Sequence, residues 1–229
     1  MFRILAAAFG VAFLAACAHL NLTGPGSNAL STLDRVCALG AGTGSMDGAV
    51  WLKAHSKDAS GQFPADVKVE SSGKVLMEVT NLIGETQARI EVDSGSYHIM
   101  VPGKDARDEK GDGSWGGIPL RWAPRLFLGR FPCPDLPLDS SATAKLDVDD
   151  HLEVHVGNED YLYVLSAWGG GPWVSELTWL RKNAQGESRV LFKFDRPDES
   201  SGAPLRWSAV SDQGSVDVRW RRRKPGTNG

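Results

Sequence analysis

The sequence predicts a mainly β protein with a few helices: one curved antiparallel sheet of about eleven strands, a half-barrel, covered by short helices. Three observations carry this. Apolar and polar residues alternate with period two through most of the chain, and Gly/Ser/Asp turn signals separate the alternating runs at hairpin spacing. Nowhere does the pattern show a βαβ crossover between parallel strands. A single sheet of that length must curl, because twist accumulates from strand to strand.

The elements follow in order. Ser27 or Asn28 offers an N-cap, Leu30, Leu33, Val36 and Cys37 recur at helical steps, and Gly40, Gly42 and Gly44 end the helix. Alternation starts at Met46. Ala65, Val67 and Val69 turn at Ser71-Ser72-Gly73 into Val75, Met77 and Val79. Ala88, Ile90 and Val92 turn at Asp93-Ser94-Gly95 into Tyr97, Ile99 and Val101. Gly103 to Gly117 is charged, glycine-rich and aperiodic, and is read as a loop that breaks the sheet. Pro119 to Gly129, with Leu120, Leu126, Phe127 and Leu128, reads as a short helix closed by Gly129 and Pro132. Asp139 to Asp150 reads as irregular. Five further strands follow around Val154, Tyr161–Trp168, Trp173–Leu180, Phe192 with Phe194, and Trp207, and the last holds Val218 and Trp220.

The N-terminus reads as an export leader: Arg3 precedes an apolar run from Ile4 to Ala16 that is too short to span a ~30 Å hydrocarbon core. Its end, Leu14-Ala15-Ala16-Cys17, resembles the lipobox of bacterial lipoproteins. This implies a signal peptide over 1–16, acylation of Cys17, and a lipidated tether over 17–26. Ala18, where an aspartate would signal inner-membrane retention in one well-understood sorting system, points to the outer membrane. The domain spans 27–224, with the helical insert around 118–130, and 225–229 reads as a disordered tail.

A net charge of −3 argues against a nucleic-acid partner. The basic stretch Arg219 to Lys224 is either a strand end running into solvent or a contact for anionic lipid. Cys37 and Cys133 either pair in an oxidising compartment, or Cys37 fills a buried helix position.

No catalytic constellation emerges. His151 and His155 lie on an alternating segment, where i and i+4 are ~13 Å apart, too far for one metal. Asp105, Asp108, Glu109 and Asp112 lack calcium-loop spacing, and there is no Gly-x-Ser-x-Gly elbow. The expectation is a non-enzyme without metal or cofactor. The eight tryptophans read first as sheet-face packing.

Helix, strands, helical insert and more strands behind a lipobox resemble the lipoprotein-localisation proteins LolA and LolB, and more the lipidated LolB. Val79-Thr80-Asn81-Leu82-Ile83-Gly84-Glu85-Thr86 is similar to the Thr-Asn-Pro-Leu-Gly-Ser-Thr segment of that receptor. Leu120-Arg121 and Leu126-Phe127-Leu128-Gly129-Arg130-Phe131-Pro132 are similar to its Leu-Arg-x-Trp-x-Leu-Gly-Leu-Pro insert. The resemblance implies a monomer that takes lipoprotein acyl chains from a periplasmic carrier protein into an apolar cavity and inserts them in the outer membrane. Leu82 and Ile83 take the place of its membrane-insertion loop, where an apolar pair either fills the end of the core or stands exposed. Val67, Met77, Ile90, Leu126, Phe127, Phe192 and Phe194 are the candidate cavity lining. The competing expectation is a structural or interaction lipoprotein of the same fold, with another hydrophobic ligand or a protein partner.

Overall fold

A computed structural model describes residues 27–39, 44–57, 60–103, 106–135, 138, 141–184 and 186–226. The chain runs α1 (Ser27–Ala38), β1 (Met46–Ser56), β2 (Ser60–Val69), β3 (Val75–Thr80), β4 (Thr86–Asp93), β5 (Ser96–Val101) and β6 (Arg107–Asp112). The insert follows, with β7 (Ser114–Trp115), β8 (Ile118–Pro119), a 3-10 turn (Leu120–Trp122) and α2 (Ala123–Phe127). The remaining strands are β9 (Thr143–Leu146), β10 (His151–Val156), β11 (Glu159–Trp168), β12 (Gly171–Asn183), β13 (Gly186–Phe194), β14 (Arg206–Ser211) and β15 (Gly214–Pro225).

Thirteen strands form one antiparallel sheet, ordered β6-β5-β4-β3-β2-β1-β15-β14-β13-β12-β11-β10-β9, and it does not close. The first and last strands of the chain's main run, β1 and β15, pair along their whole length at its centre, from Met46↔Pro225 to Ser56↔Gly214. The predicted fold class holds, but two strands exceed the predicted count of about eleven. Arg107–Asp112, read as part of a sheet-breaking loop, is edge strand β6. Every one of its residues except Gly111 is exposed, so it carries charge instead of alternation, which also blunts an edge against further pairing. Gly111 is required there, because a Cβ would lie 2.5 Å from the Tyr97 ring. Likewise Thr143–Leu146, inside the stretch read as irregular, is the opposite edge, β9, too short for its alternation to register. At the C-terminus, Pro225, predicted in the tail over 225–229, belongs to β15 and the Gly226 amide donates to Ser45 O at 3.1 Å.

One parity of the sheet faces inward. Val50, Val67, Val75, Leu152, Tyr163, Val190 and Phe192 are at most 2% exposed. A bulge between Val164 and Leu165 brings Val174 onto the inward parity of Leu177 and Trp179 and leaves Trp173 out of phase with them. In α1 the buried stripe is Ala29, Thr32, Leu33 and Val36. Leu30, assigned to that stripe from sequence, is 45% exposed, since the helix lies rotated toward β9 and β12.

The insert covers the inner face of β10–β15. Trp122 meets Trp179 edge-on at 5.0 Å and Phe192 at 5.6 Å, and Phe131 meets Phe194 at 4.8 Å; such pairs contribute beyond their buried area. The predicted Pro119–Gly129 helix is shorter than expected. Its end is a Schellman turn: the Arg130 amide bonds Arg125 O, the Gly129 amide bonds Leu126 O, and Gly129 has φ +77°.

Covalent and polar ties hold the insert. Cys37 and Cys133 are disulfide-bonded, with Cα atoms 6.0 Å apart and a separation of 96 in sequence. The Arg125 guanidinium donates to Cys37 O at 3.1 Å and Phe131 O at 2.9 Å. Arg121 donates to both Glu159 oxygens at 2.9 and 2.6 Å. Burial alone would raise the Glu159 pKa, but the hydrogen bonds from Tyr161 and Arg121 outweigh it and hold the carboxyl below its ordinary value.

Cross-linking residues this far apart restricts the unfolded chain, so reduction or Cys37→Ser should lower unfolding stability by about 4 kcal/mol. Urea melts with and without reductant check this; superimposable curves would refute it. Because Glu159 has a lowered folded-state pKa, its contribution is complete above the unfolded carboxylate value of about 4.3 and is lost as pH falls through the folded value. Arg121→Met should shrink that acid-dependent loss by about 1 kcal/mol for this partly solvated pair. Thermal melts from pH 7 to 3 measure it, and an unchanged pH profile would count against the pair.

Candidate functional site

The β3–β4 turn carries the most exposed apolar pair among the described residues. Leu82 is 84% exposed and Ile83 80%, which decides the alternative left open by sequence: neither fills the core. Asn81 builds the turn. Its Oδ1 accepts from the Ile83 amide at 3.0 Å and the Glu85 amide at 2.9 Å, while its Nδ2 donates to Glu85 Oε2 at 2.9 Å. The Gly84 amide closes on Asn81 O at 3.1 Å, and Gly84 sits at φ +88°, a conformation natural to glycine. A turn held by its own side chain keeps two apolar residues in water at little further ordering cost, which suits insertion into an apolar phase.

Behind the tip lies the inner face of β1–β5. Register places Gly48, Val67, Met77, Ile90 and Ile99 directly opposite one another on successive strands. Burial falls along this row: Val67 is 2% and Met77 8% exposed, Ile90 and Ile99 are half-buried, and Glu109 on the β6 edge is exposed. Ala88, next to the tip along β4 and opposite Val79, is also half-buried. An apolar surface therefore runs from the tip and the β5–β6 rim toward the middle of the sheet.

The seven candidate lining residues divide. Val67, Met77 and Ile90 share that row. Leu126, Phe127, Phe192 and Phe194 instead belong to the aromatic block under the insert, where each ring already has a partner: Phe127 meets Trp207 at 5.5 Å, and Phe192 and Phe194 meet Trp122 and Phe131. All four are buried against the insert's side of the core. The insert's own aromatic residues occupy the hollow over β10–β15, and period two in a strand could not reveal which rings the insert would reach.

Other expectations resolve simply. His151 pairs with Asp147 at 3.2 Å in a part-buried contact and His155 with Asp160 at 2.5 Å in a separate exposed one. Asp108, Glu109 and Asp112 lie along β6, while Asp105 and the lipidation candidate Cys17 fall outside the described residues. No group of three or more metal-ligating side chains occurs among the described residues, and no described helix is long and apolar enough to cross a membrane. Sequence reasoning missed Arg125, Glu159 and Arg223. Arg121 had a signal, its place in the Leu-Arg segment, whereas the other three show their roles only through partners distant in sequence.

No family model and no curated protein matches this sequence. Solved structures do. A LolA superfamily protein from Nitrosomonas europaea is 11% identical, aligning over 87% of this chain and 94% of its own with a TM-score of 0.52. A domain from Vibrio parahaemolyticus described as an outer membrane lipoprotein-sorting protein is 10% identical, over 88% and 94%, with a TM-score of 0.53. At that identity the likeness is one of architecture, and this chain has the LolA-type fold: an open antiparallel sheet curled around helices laid on its inner face.

Proposed function

We propose that this chain is a lipid-anchored protein of the outer membrane, held through an acylated Cys17 and facing the periplasm, that accepts the acyl chains of lipoproteins and assists their insertion in that membrane. The single observation that carries the reading is the Leu82–Ile83 tip, about four-fifths exposed on a turn that Asn81 holds in shape. The fold shared with a described lipoprotein-sorting domain supports it. So does the half-buried apolar strip of Ala88, Ile90 and Ile99 beside the tip.

The work required is physical, not covalent. Moving an acyl chain from water onto apolar protein gains ~25 cal/mol per Å², so the chain leaves again only where a bilayer competes for it. A tip that enters the bilayer brings that competitor to the mouth of the strip, and a monomer suffices. A periplasmic carrier protein would be the donor. No step needs a metal, a cofactor or a catalytic residue.

One observation favours a second reading, an interaction lipoprotein of the same fold: the inner face of β10–β15 is filled by Trp122, Phe127 and Phe131. Fluorescent fatty-acid titration separates the two, because a wholly filled interior yields no saturable signal. Each buried aliphatic side chain is worth about 1.5–3 kcal/mol. Ile83→Glu should therefore reduce co-sedimentation with uncharged phosphatidylcholine vesicles at least about tenfold and slow lipoprotein transfer, with an unchanged melting temperature. Undiminished vesicle binding by that variant would sink the tip assignment.

A further inference from the structure

Among the described residues, a cluster of buried hydrogen-bond donors surrounds Phe127 over the central strands β14 and β15. Trp207 and Trp220 are each 5% exposed, and their indole Nε1 groups have no partner among the described residues; nor do Nε and Nη1 of Arg223. All three side chains converge. Phe127 packs edge-on against Trp207 at 5.5 Å and Trp220 at 6.2 Å, and the Arg223 guanidinium lies 5.4 Å from the Trp220 ring. The remaining Arg223 nitrogen, Nη2, donates to Phe127 O at a long 3.5 Å.

The backbone aims this arginine inward. Trp220 faces the core, so Arg223, three residues on, would point to solvent in a regular strand. A bulge intervenes: Val50 opposes Trp220 while Ala49 opposes Arg222, leaving Arg221 extra, and the parity of Arg223 reverses. Bulges commonly re-aim side chains at sites. Glycines make the room. A Cβ on Gly48, opposite Arg223, would lie 2.7 Å from the Trp220 ring, and one on Gly129 would lie 2.5 Å from Arg223 Nη2.

Desolvation pushes the Arg223 guanidinium down to about 10, opposed only by the field of Asp198. That carboxylate is already engaged by Ser200 and Ser201. Buried donors are normally satisfied, and a buried cation is normally paired. Four unmatched donor nitrogens, two of them on the Arg223 guanidinium, call for acceptor oxygens bearing negative charge.

We propose that Arg223, Trp207 and Trp220 form a binding site for one anionic oxygen group, a carboxylate or a phosphate, at the charged end of an amphiphile. The register supplies the tail's path. Arg223 opposes Gly48, and the same cross-strand row continues through Val67 and Met77 to Ile90. Four strand spacings of about 4.8 Å carry it ~19 Å, somewhat more than one ~15 Å leaflet of hydrocarbon. The inference rests on the acyl-chain reading for the tail but not for the charge.

The test titrates the full chain with octanoate, octanol and inorganic phosphate, reading tryptophan emission and melting temperature. Octanoate should saturate at concentrations at least tenfold below octanol and raise the melting temperature. Phosphate saturating at the octanoate concentration would assign the site to a phosphate, free or of a headgroup; octanoate binding well ahead of phosphate would assign it to a carboxylate amphiphile. Arg223→Met should weaken octanoate at least tenfold without affecting octanol, with Arg223→Lys intermediate. Because a buried unpaired cation is costly, the unliganded methionine variant should melt no lower than the wild type. Equal binding of octanoate and octanol, insensitive to Arg223→Met, would overturn the anion site and leave the acyl reading standing. No saturable response of the wild type to octanoate or phosphate would also overturn it, whatever the variants do.

Discussion

An open sheet of thirteen strands presents one long apolar face that must be kept from water, and everything else in this structure answers to that constraint. A closed barrel would bury the face against itself. Here β6 and β9 remain edges, so the cover comes from segments that are not part of the sheet. The disulfide between Cys37 and Cys133 joins the two covers, α1 and the insert, to each other, and Arg121 fastens the insert to β11 through Glu159.

The cover is uneven from one half of the sheet to the other. Over β10–β15 it is aromatic and interlocked, which makes this half the stable platform. Over β4–β5 it thins, so that Ala88, Ile90 and Ile99 stay half-buried. The Leu82–Ile83 tip projects from the same strands. The apolar tip and strip thus lie together in the less protected part of the fold.

Between the halves stands the β1–β15 pair, which joins the strands before and after the insert into one sheet. Its bulge at Arg221 has consequences on both faces. Outward, Arg221 lies 5.4 Å from the Trp51 ring; inward, Arg223 comes to the head of the apolar row that reaches Ile90. A run of basic residues that reads in sequence as a solvated strand end or a contact for anionic lipid is thus split between the two faces of the sheet by a single extra residue.

Much of this was legible from the chain alone, because period-two alternation and turn residues are local properties. The central strands, both hairpins before the insert and the Gly129 stop follow from neighbours a few residues apart. The edges β6 and β9 escaped because an edge strand needs only one partner and no apolar parity of its own. Alternation also could not say which parity faced inward, nor that bulges at Val164 and Arg221 would reset it, since such resets appear only when two strands are set side by side. The sequence by itself determined the class of fold, the chemistry available at the tip and the two cysteines able to pair. Tertiary structure alone decided that Leu82 and Ile83 stand in water, that Phe192 and Phe194 are capped by the insert, and that Arg223 turns inward, because each depends on contacts between segments tens of residues apart.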